Sequence, residues 1–492
     1  MSDRAMKHKA LRGGAWAMLE NIGTQVINFA VFILLARLLE PSEIGLASLA
    51  AVFTALALIF SNQGLGDALV QREELEPEHL DTMFWVNNGI ALIAAVICFF
   101  LAPWIGQVFK QPLLPDLLRV LCVTFLFNAL GMVHHALLRR ELRFRSLALR
   151  RLIAALVGGM VGLVLALKGY GVWSLIAQQV VNSFVAMLIL IAGYRWRPRF
   201  RFSKPHFMTL FHFSAHTFGT NLLSFLMQRA DRMIIGGFLG TSVLGLYTLA
   251  QQLIGLLATC LFSSIANVAF PYLSRIHQDR DLLRRTFIRV VKLSCLAGFP
   301  AYAGLALAAQ DIVPLILGAK WEPAVPLIRV LACVGFLYAI FFIADALSMA
   351  CGRADYVFRI NLLSVVIHLT GFFIAVQWGA LALVIVYVLR GYLIAPVRTY
   401  VVHLIVPPGV PALGAALVRP LMATIGMALC VVAVQTLFPL TGWSRGILVL
   451  LAGGLGYLVC LVLVDRRFIF EDSVQLWRTL RGNSGNDSRD NG

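Results

Sequence analysis

The sequence predicts an all-α membrane protein of about 14 transmembrane helices. It is expected to form two parallel six-helix repeats, an N- and a C-lobe, around a central cavity, with two extra C-terminal helices. Three observations carry that expectation: an apolar composition, an internal duplication, and a polar stripe that recurs with the duplication.

Of the 492 residues, 60% are hydrophobic and 13% charged, with a mean hydropathy of +0.83. A soluble domain carries about 25% charged residues, so this chain needs lipid as its solvent. In lipid every backbone N–H and C=O must be satisfied internally, which leaves helices or closed barrels. The apolar runs are about twenty residues long and show no ten-residue alternation, which selects helices.

In chain order the expected spans are 14–36, 43–62, 83–103, 116–138, 149–168, 171–193, 211–235, 243–271, 287–317, 326–350, 357–377, 380–404, 414–438 and 445–464. The first follows Arg4, Lys7, Lys9 and Arg12 in the manner of a signal peptide. It contains Glu20, Asn21, Gln25 and Asn28, however, and no small-residue cleavage pattern follows, so it is expected to be retained. The seventh is interrupted by Arg229, Asp231 and Arg232. Beyond the last span, 466–481 has the pattern of an interfacial helix, and 482–492 is polar enough to be disordered.

The net charge of +17 is distributed by side. With the N-terminus inside, the inner segments receive Arg139, Arg140, Arg143, Arg145, Arg150 and Arg151, then Arg195, Arg197, Arg199, Arg201 and Lys204, then Arg275 through Lys292. The outer loops hold Arg37, Lys110, Lys168, Lys320 and Arg445. Lys and Arg accumulate on the cytoplasmic side of membrane proteins, which places both termini in the cytoplasm of a multi-pass protein of the bacterial inner membrane. The same asymmetry explains the basic pI with no nucleic acid as partner. The segment Tyr194–Phe202 alternates cations with aromatics. It suits an interfacial belt with inside charge, or else a site for anionic lipid or phosphate, the belt being the preferred reading. The eight cysteines are scattered singly and the histidines have no ligand spacing, so neither metal nor cofactor is expected.

The duplication is visible without gaps. Leu39–Ala50 aligns on Leu239–Ala250 with six of twelve positions identical, among them Ser42/Ser242, Gly45/Gly245 and Leu46/Leu246. At the same offset of 200, Asn21 falls on Asn221, Thr24 on Ser224 and Asn28 on Gln228. At offset 210, Leu117, Arg119, Val120 and Leu121 fall on Leu327, Arg329, Val330 and Leu331. A unit of six helices gives both copies one orientation, related by an axis along the membrane normal, with a site at their interface. The expected domains are lobes 1–200 and 201–404, the extra helices within 405–465, and the tail 466–492.

A charge at mid-helix costs about 2.5–3.5 kcal/mol on the insertion scale, so intramembrane polar groups should face a cavity or a partner. Asn21, Gln25 and Asn28 recur at spacing three to four on the first helix, and Asn221, Gln228 and Asp231/Arg232 repeat this on the seventh. These residues, with Arg390, are the substrate-cavity candidates. For Asp231 a cavity position and a local ion pair with Arg229 or Arg232 weigh about equally. Glu20 and Asp345 are lone carboxylates that, with Asp231, could exchange protons or bind Na⁺; a satisfied position inside a bundle is the more general reading. No catalytic constellation is present.

Ala36–Leu46, Gly64–Arg72, Arg197–Phe202 and Asp231–Gly240 followed by Gly245-Leu246-Tyr247 together resemble the polysaccharide transporter family, over residues 10–404. That resemblance implies membership of the multidrug/oligosaccharidyl-lipid/polysaccharide exporter superfamily, in the branch of exopolysaccharide, O-antigen and colanic-acid-type flippases. It implies translocation of polyprenyl-diphosphate-linked oligosaccharide by alternating access. The implied partners are lipid-linked oligosaccharide and membrane lipids, with a polysaccharide polymerase and chain-length regulator as further partners, and no enzymatic activity. Fourteen helices departs from many O-antigen flippases and is similar to the lipid II flippases. An ion-coupled drug/cation antiporter would want a more acidic cavity. A membrane-embedded polymerase or glycosyltransferase would want a longer outer loop than Pro103–Pro115.

Overall fold

In the computed structural model, thirteen helical segments among the described residues are long and apolar enough to cross a membrane. Residues 3–62, 69, 76–201, 203, 225–226, 228–407, 410–437 and 442–464 are described. No strand occurs among them. The expected tail helix 466–481, most of the seventh span and the Gly64–Arg72 motif apart from Leu69 lie outside these residues.

The first helices are α1 (Asp3–Leu38), α2 (Pro41–Asn62) and α3 (Pro77–Val108). The fourth expected span is two helices, α4 (Leu114–Leu121) and α5 (Val123–Arg140), meeting at Cys122. Then come α6 (Phe144–Leu167) and α7 (Val172–Gly193). A helical stretch 228–238 (α8) leads into α9 (Gly240–Ala258), which passes through a π turn at Thr259–Ser263 into α10 (Ser264–Ile276). The eighth span, expected as one helix over 243–271, is therefore locally widened and underwound at its middle, as π turns do inside helices. The chain continues with α11 (Arg280–Leu317), a 3₁₀ turn at Ala319–Ala324, α12 (Val325–Phe341) and α13 (Ala344–Ala350). The last four are α14 (Ala354–Ala375), α15 (Ala380–Ile405), α16 (Val410–Leu437) and α17 (Gly442–Val464).

The helices gather into two compact units. The first holds residues 1–252, 316–327 and 364–387; the second holds 253–315, 328–363 and 388–492. Lipid supplies no hydrophobic drive between helices, so association relies on close packing at small residues. In the first unit α6 shows this on two faces. A Cβ at Gly158 would come 2.8 Å from the Gln178 carbonyl oxygen of α7, and one at Gly162 would come 2.9 Å from the Gln178 Cβ. A quarter-turn away, a Cβ at Gly159 would meet the Val31 side chain of α1 at 2.6 Å. The glycines thus seat α6 between α1 and α7.

In the second unit the terminal pair α16–α17 is joined to α11 by polar bonds. Asp311, its side chain 8% exposed, forms an ion pair with Arg445, Nε lying 2.9 Å from Oδ1, and accepts from Gln435 Nε2 at 2.9 Å. Gln435 also donates to the Leu307 carbonyl at 3.2 Å, and Tyr457 donates to the Leu296 carbonyl at 2.7 Å. Ala308, Val431 and Val449 bury together beside these bonds. The extra helices therefore carry specific polar ties to this unit in addition to apolar packing. Asp311→Ala removes the acceptor of Gln435 and the counter-ion of the half-buried Arg445, a loss of about 1–3 kcal/mol. A fall in the melting temperature of the detergent-solubilised protein is expected, larger than for Leu451→Ala on exposed surface.

Candidate functional site

The sequence-predicted polar residues separate into paired and exposed groups. Glu20 is buried and bonds Arg151 Nη1 at 2.9 Å, and Asp345 lies 3.5 Å from Arg398. Neither is the lone carboxylate that the sequence suggests. Each partner sits on another helix, 131 and 53 residues away, beyond the reach of local spacing. Asn21 and Gln228 are exposed, and Gln25, Asn28, Arg232 and Arg390 are half-buried. Asn221 lies outside the described residues.

Asp231 is buried, and its side-chain partner, Tyr247, comes from α9. Tyr247 Oη donates to Oδ2 at 2.6 Å, and Gln251 Nε2 donates to Tyr247 Oη at 2.7 Å. The Arg232 backbone N–H donates to Oδ1 at 2.8 Å. A buried carboxylate demands such donors, because leaving them unmade costs its full desolvation. Spacing by four puts Tyr247 and Gln251 on one face of α9, aimed at α8. Tyr247 belongs to the motif Gly245-Leu246-Tyr247, and its role as the link is not visible from spacing.

The N-terminal turns of α2 and α9, duplicated in the sequence, pack directly on each other. A Cβ at Gly45 would overlap the Thr241 carbonyl oxygen, and a Cβ at Gly245 would overlap the Pro41 carbonyl oxygen. Pro41 and Thr241 are themselves equivalent at the offset of 200. The contact is thus reciprocal, as two-fold related surfaces require. One turn on, Thr248 Oγ1 donates to Ser48 Oγ at 3.1 Å, again joining equivalent positions. Around this seam Leu35, Ala36, Leu39, Leu49 and Ala50 are fully buried or nearly so. The buried Trp321 donates its indole N–H to the Ala36 carbonyl at 2.7 Å, and Lys320 lies 3.6 Å from Glu40. By contrast, Leu19, Ile22 and Val26, toward the other end of α1, are exposed.

The alternating segment after α7 is a strap laid across the first unit. Trp85 Nε1 donates to the Arg199 carbonyl at 2.9 Å, while the Arg199 N–H donates to Asp81 Oδ1 at 3.0 Å. The Ser203 N–H donates to Thr82 Oγ1 at 3.1 Å. His134 Nε2 lies 3.3 Å from the Trp196 carbonyl oxygen, and Phe200 stacks on Trp85 with centroids 4.5 Å apart. Tyr194 Oη donates to Glu141 Oε1 at 2.6 Å, which raises the phenol above its ordinary pKa. Asp81 and Thr82 are fully buried to hold this backbone, a role that the sequence does not signal.

A family model described as polysaccharide biosynthesis protein matches residues 34–326, more than half of the chain. The chain belongs to that family. The match includes both turns of the seam, the strap and Asp231. Among curated family relatives, the lipopolysaccharide biosynthesis protein WzxC of Escherichia coli (strain K12) is 27% identical over 361 residues, covering 73% of each chain. The teichuronic acid biosynthesis protein TuaB of Bacillus subtilis (strain 168) is 26% identical over 459 residues, covering 92% of this chain and 95% of the relative. The fold is similar to that of the lipid II flippase MurJ in an inward closed conformation. The TM-score is 0.77 at 15% identity, over 93% of this chain and all of that one.

Within this family member, Tyr247→Phe removes one donor to Asp231 and leaves Gln251 without its acceptor. A loss of about 1–3 kcal/mol is expected for such buried groups. Thermal unfolding of the purified protein checks it, with Tyr247→Phe/Asp231→Asn expected to lose less than the sum of the two single changes because they share one bond.

Proposed function

We propose that this chain is a flippase that translocates polyprenyl-diphosphate-linked oligosaccharide repeat units across the inner membrane for surface polysaccharide synthesis, by alternating access. The observation that carries the reading is the seam between α2 and α9. Two equivalent helix starts meet at glycines about a local two-fold, which is the arrangement expected where two repeated lobes close against each other. Family membership and the MurJ-like fold support the same conclusion. WzxC and TuaB are both biosynthesis proteins of surface glycans by name.

In this reading the lobes are 1–200 and 201–404, with both termini cytoplasmic. The seam at Gly45 and Gly245 closes the periplasmic side, while the opposite end of α1 stays accessible. Asn21, Gln25, Asn28, Asn221 and Gln228 offer amides to sugar hydroxyls. Arg232 and Arg390 offer cations to the diphosphate, and the prenyl chain remains in lipid. The Asp231–Tyr247–Gln251 chain, together with Glu20 and Asp345, is where ion coupling would act. A polymerase and a chain-length regulator are the partners such a product would meet. The chemistry needs no covalent step on the protein, since the substrate changes leaflet and not structure.

Three experiments test this. Leaflet-specific labelling of lipid-linked glycan in a deletion strain should show cytoplasmic accumulation, relieved by the wild-type gene. Arg232→Gln and Arg390→Gln should each lower export at least tenfold at equal protein levels; unchanged export in both would remove them from the route. Separately, Ser48→Cys/Thr248→Cys should cross-link under oxidant, since the hydroxyls stand at bonding distance. Export should stop on oxidation and return with reductant. Undiminished export by the cross-linked protein would make the seam a static joint and sink its role in closure.

A further inference from the structure

The strap after α7 sorts its residues by side. Tyr194 is extended (φ −137°, ψ 129°), and from Tyr194 to Arg199 burial alternates residue by residue, so neighbours face opposite ways. Tyr194, Trp196 and Pro198 are half-buried, while Arg195, Arg197 and Arg199 are exposed. The inward set is engaged: Tyr194 on Glu141, Trp196 against Phe84 at 5.7 Å, and the Trp196 carbonyl by His134. The backbone at Arg199 is held from both sides, by Asp81 and by Trp85. The strap therefore cannot rotate to hide its arginines without breaking these hydrogen bonds to α3 and α5 and the Tyr194–Glu141 bond.

We propose that Arg195, Arg197 and Arg199 form a comb that binds the phosphate headgroups of anionic phospholipids in the leaflet where α7 ends. The observations favour a membrane surface over a single soluble phosphate. On an extended strand, alternate residues stand about 6.6 Å apart. That spacing sets the guanidinium stems side by side, each addressing a different headgroup, and does not converge them on one phosphate. Arg195 lies two residues past the last residue of α7, Gly193, where a membrane-spanning helix leaves the apolar layer. Phe200 closes the row, 90% exposed yet stacked on Trp85, an aromatic placed as aromatics are at membrane interfaces. Arg201 is spent on Glu78 at 2.8 Å and does not belong to the comb. Arg197 donates from one Nη to the Ile191 carbonyl at 3.2 Å, which steadies its stem and leaves other donors of its fork for phosphate. The comb does not depend on what the chain transports.

The test uses the full-length purified protein, with bound lipid counted by native mass spectrometry during titration with phosphatidylglycerol or phosphatidylcholine. Each basic residue near an anionic surface is worth about 1 kcal/mol, or roughly fivefold. The R195Q/R197Q/R199Q variant is therefore expected to bind phosphatidylglycerol at least tenfold more weakly, with phosphatidylcholine binding unchanged. Should the triple variant fail to fold, R195Q and R199Q singly are each expected to lose about fivefold. Equal phosphatidylglycerol binding by wild type and variants overturns the proposal. So does displacement of the lipid by inorganic diphosphate at equal concentration, which would assign the comb to a soluble phosphate ligand. Leaflet labelling of glycan in the same variants keeps the two questions apart, because lipid binding can be lost while translocation continues, and the reverse.

Discussion

Close approach of backbones at glycine is the constraint on which this molecule depends. Apolar side chains gain nothing by leaving lipid for one another, so helices must meet through surfaces that let main chains touch. Gly158, Gly159 and Gly162 do this for α6 against its two neighbours, and Gly45 and Gly245 do it where the duplicated turns cross. At the second place the contact carries more than packing. Each glycine lies on the carbonyl of the residue that is the other copy's counterpart, so the geometry of the crossing repeats the symmetry of the sequence. A Cβ on either side would force the two helix starts apart.

The polar groups follow from the same solvent. A carboxylate within a membrane segment needs donors, and three buried ones show theirs. Glu20 takes Arg151, Asp311 takes Arg445 and Gln435, and Asp231 takes Tyr247 with the Arg232 N–H. These bonds tie distant helices together, which is how α16 and α17 come to be fastened to α11. The strap obeys a related rule at the membrane edge. Its backbone has no helix or sheet to satisfy it, so buried Asp81 and Thr82, with Trp85, supply the missing partners. The cations are left outside, where the positive-inside bias already wants them.

Much of the architecture was legible in the chain. Twenty-residue apolar runs specify helices because lipid permits little else, and the matched Asn and Gly at an offset of 200, with Arg at 210, disclosed the duplication. Gly45 and Gly245 stood out as identities in that match. What they touch did not, since a glycine's neighbour is a property of the crossing and not of the run it belongs to. The interruptions at Cys122 and at Thr259–Ser263 were equally hidden, because hydropathy continues unbroken through both.

The sequence by itself determined the solvent, the helical class, the repeat and the family resemblance. Each of these is written in composition or in periodicity along one dimension. Only the tertiary structure decided that Glu20 and Asp345 are paired, that Tyr247 links Gln251 to Asp231, and that the basic–aromatic segment turns Tyr194 and Trp196 inward and Arg195, Arg197 and Arg199 outward. Hydrogen bonds and ion pairs act over about 3 Å whatever the distance along the chain. Partners separated by tens to hundreds of residues therefore leave no trace in local spacing until the helices are packed.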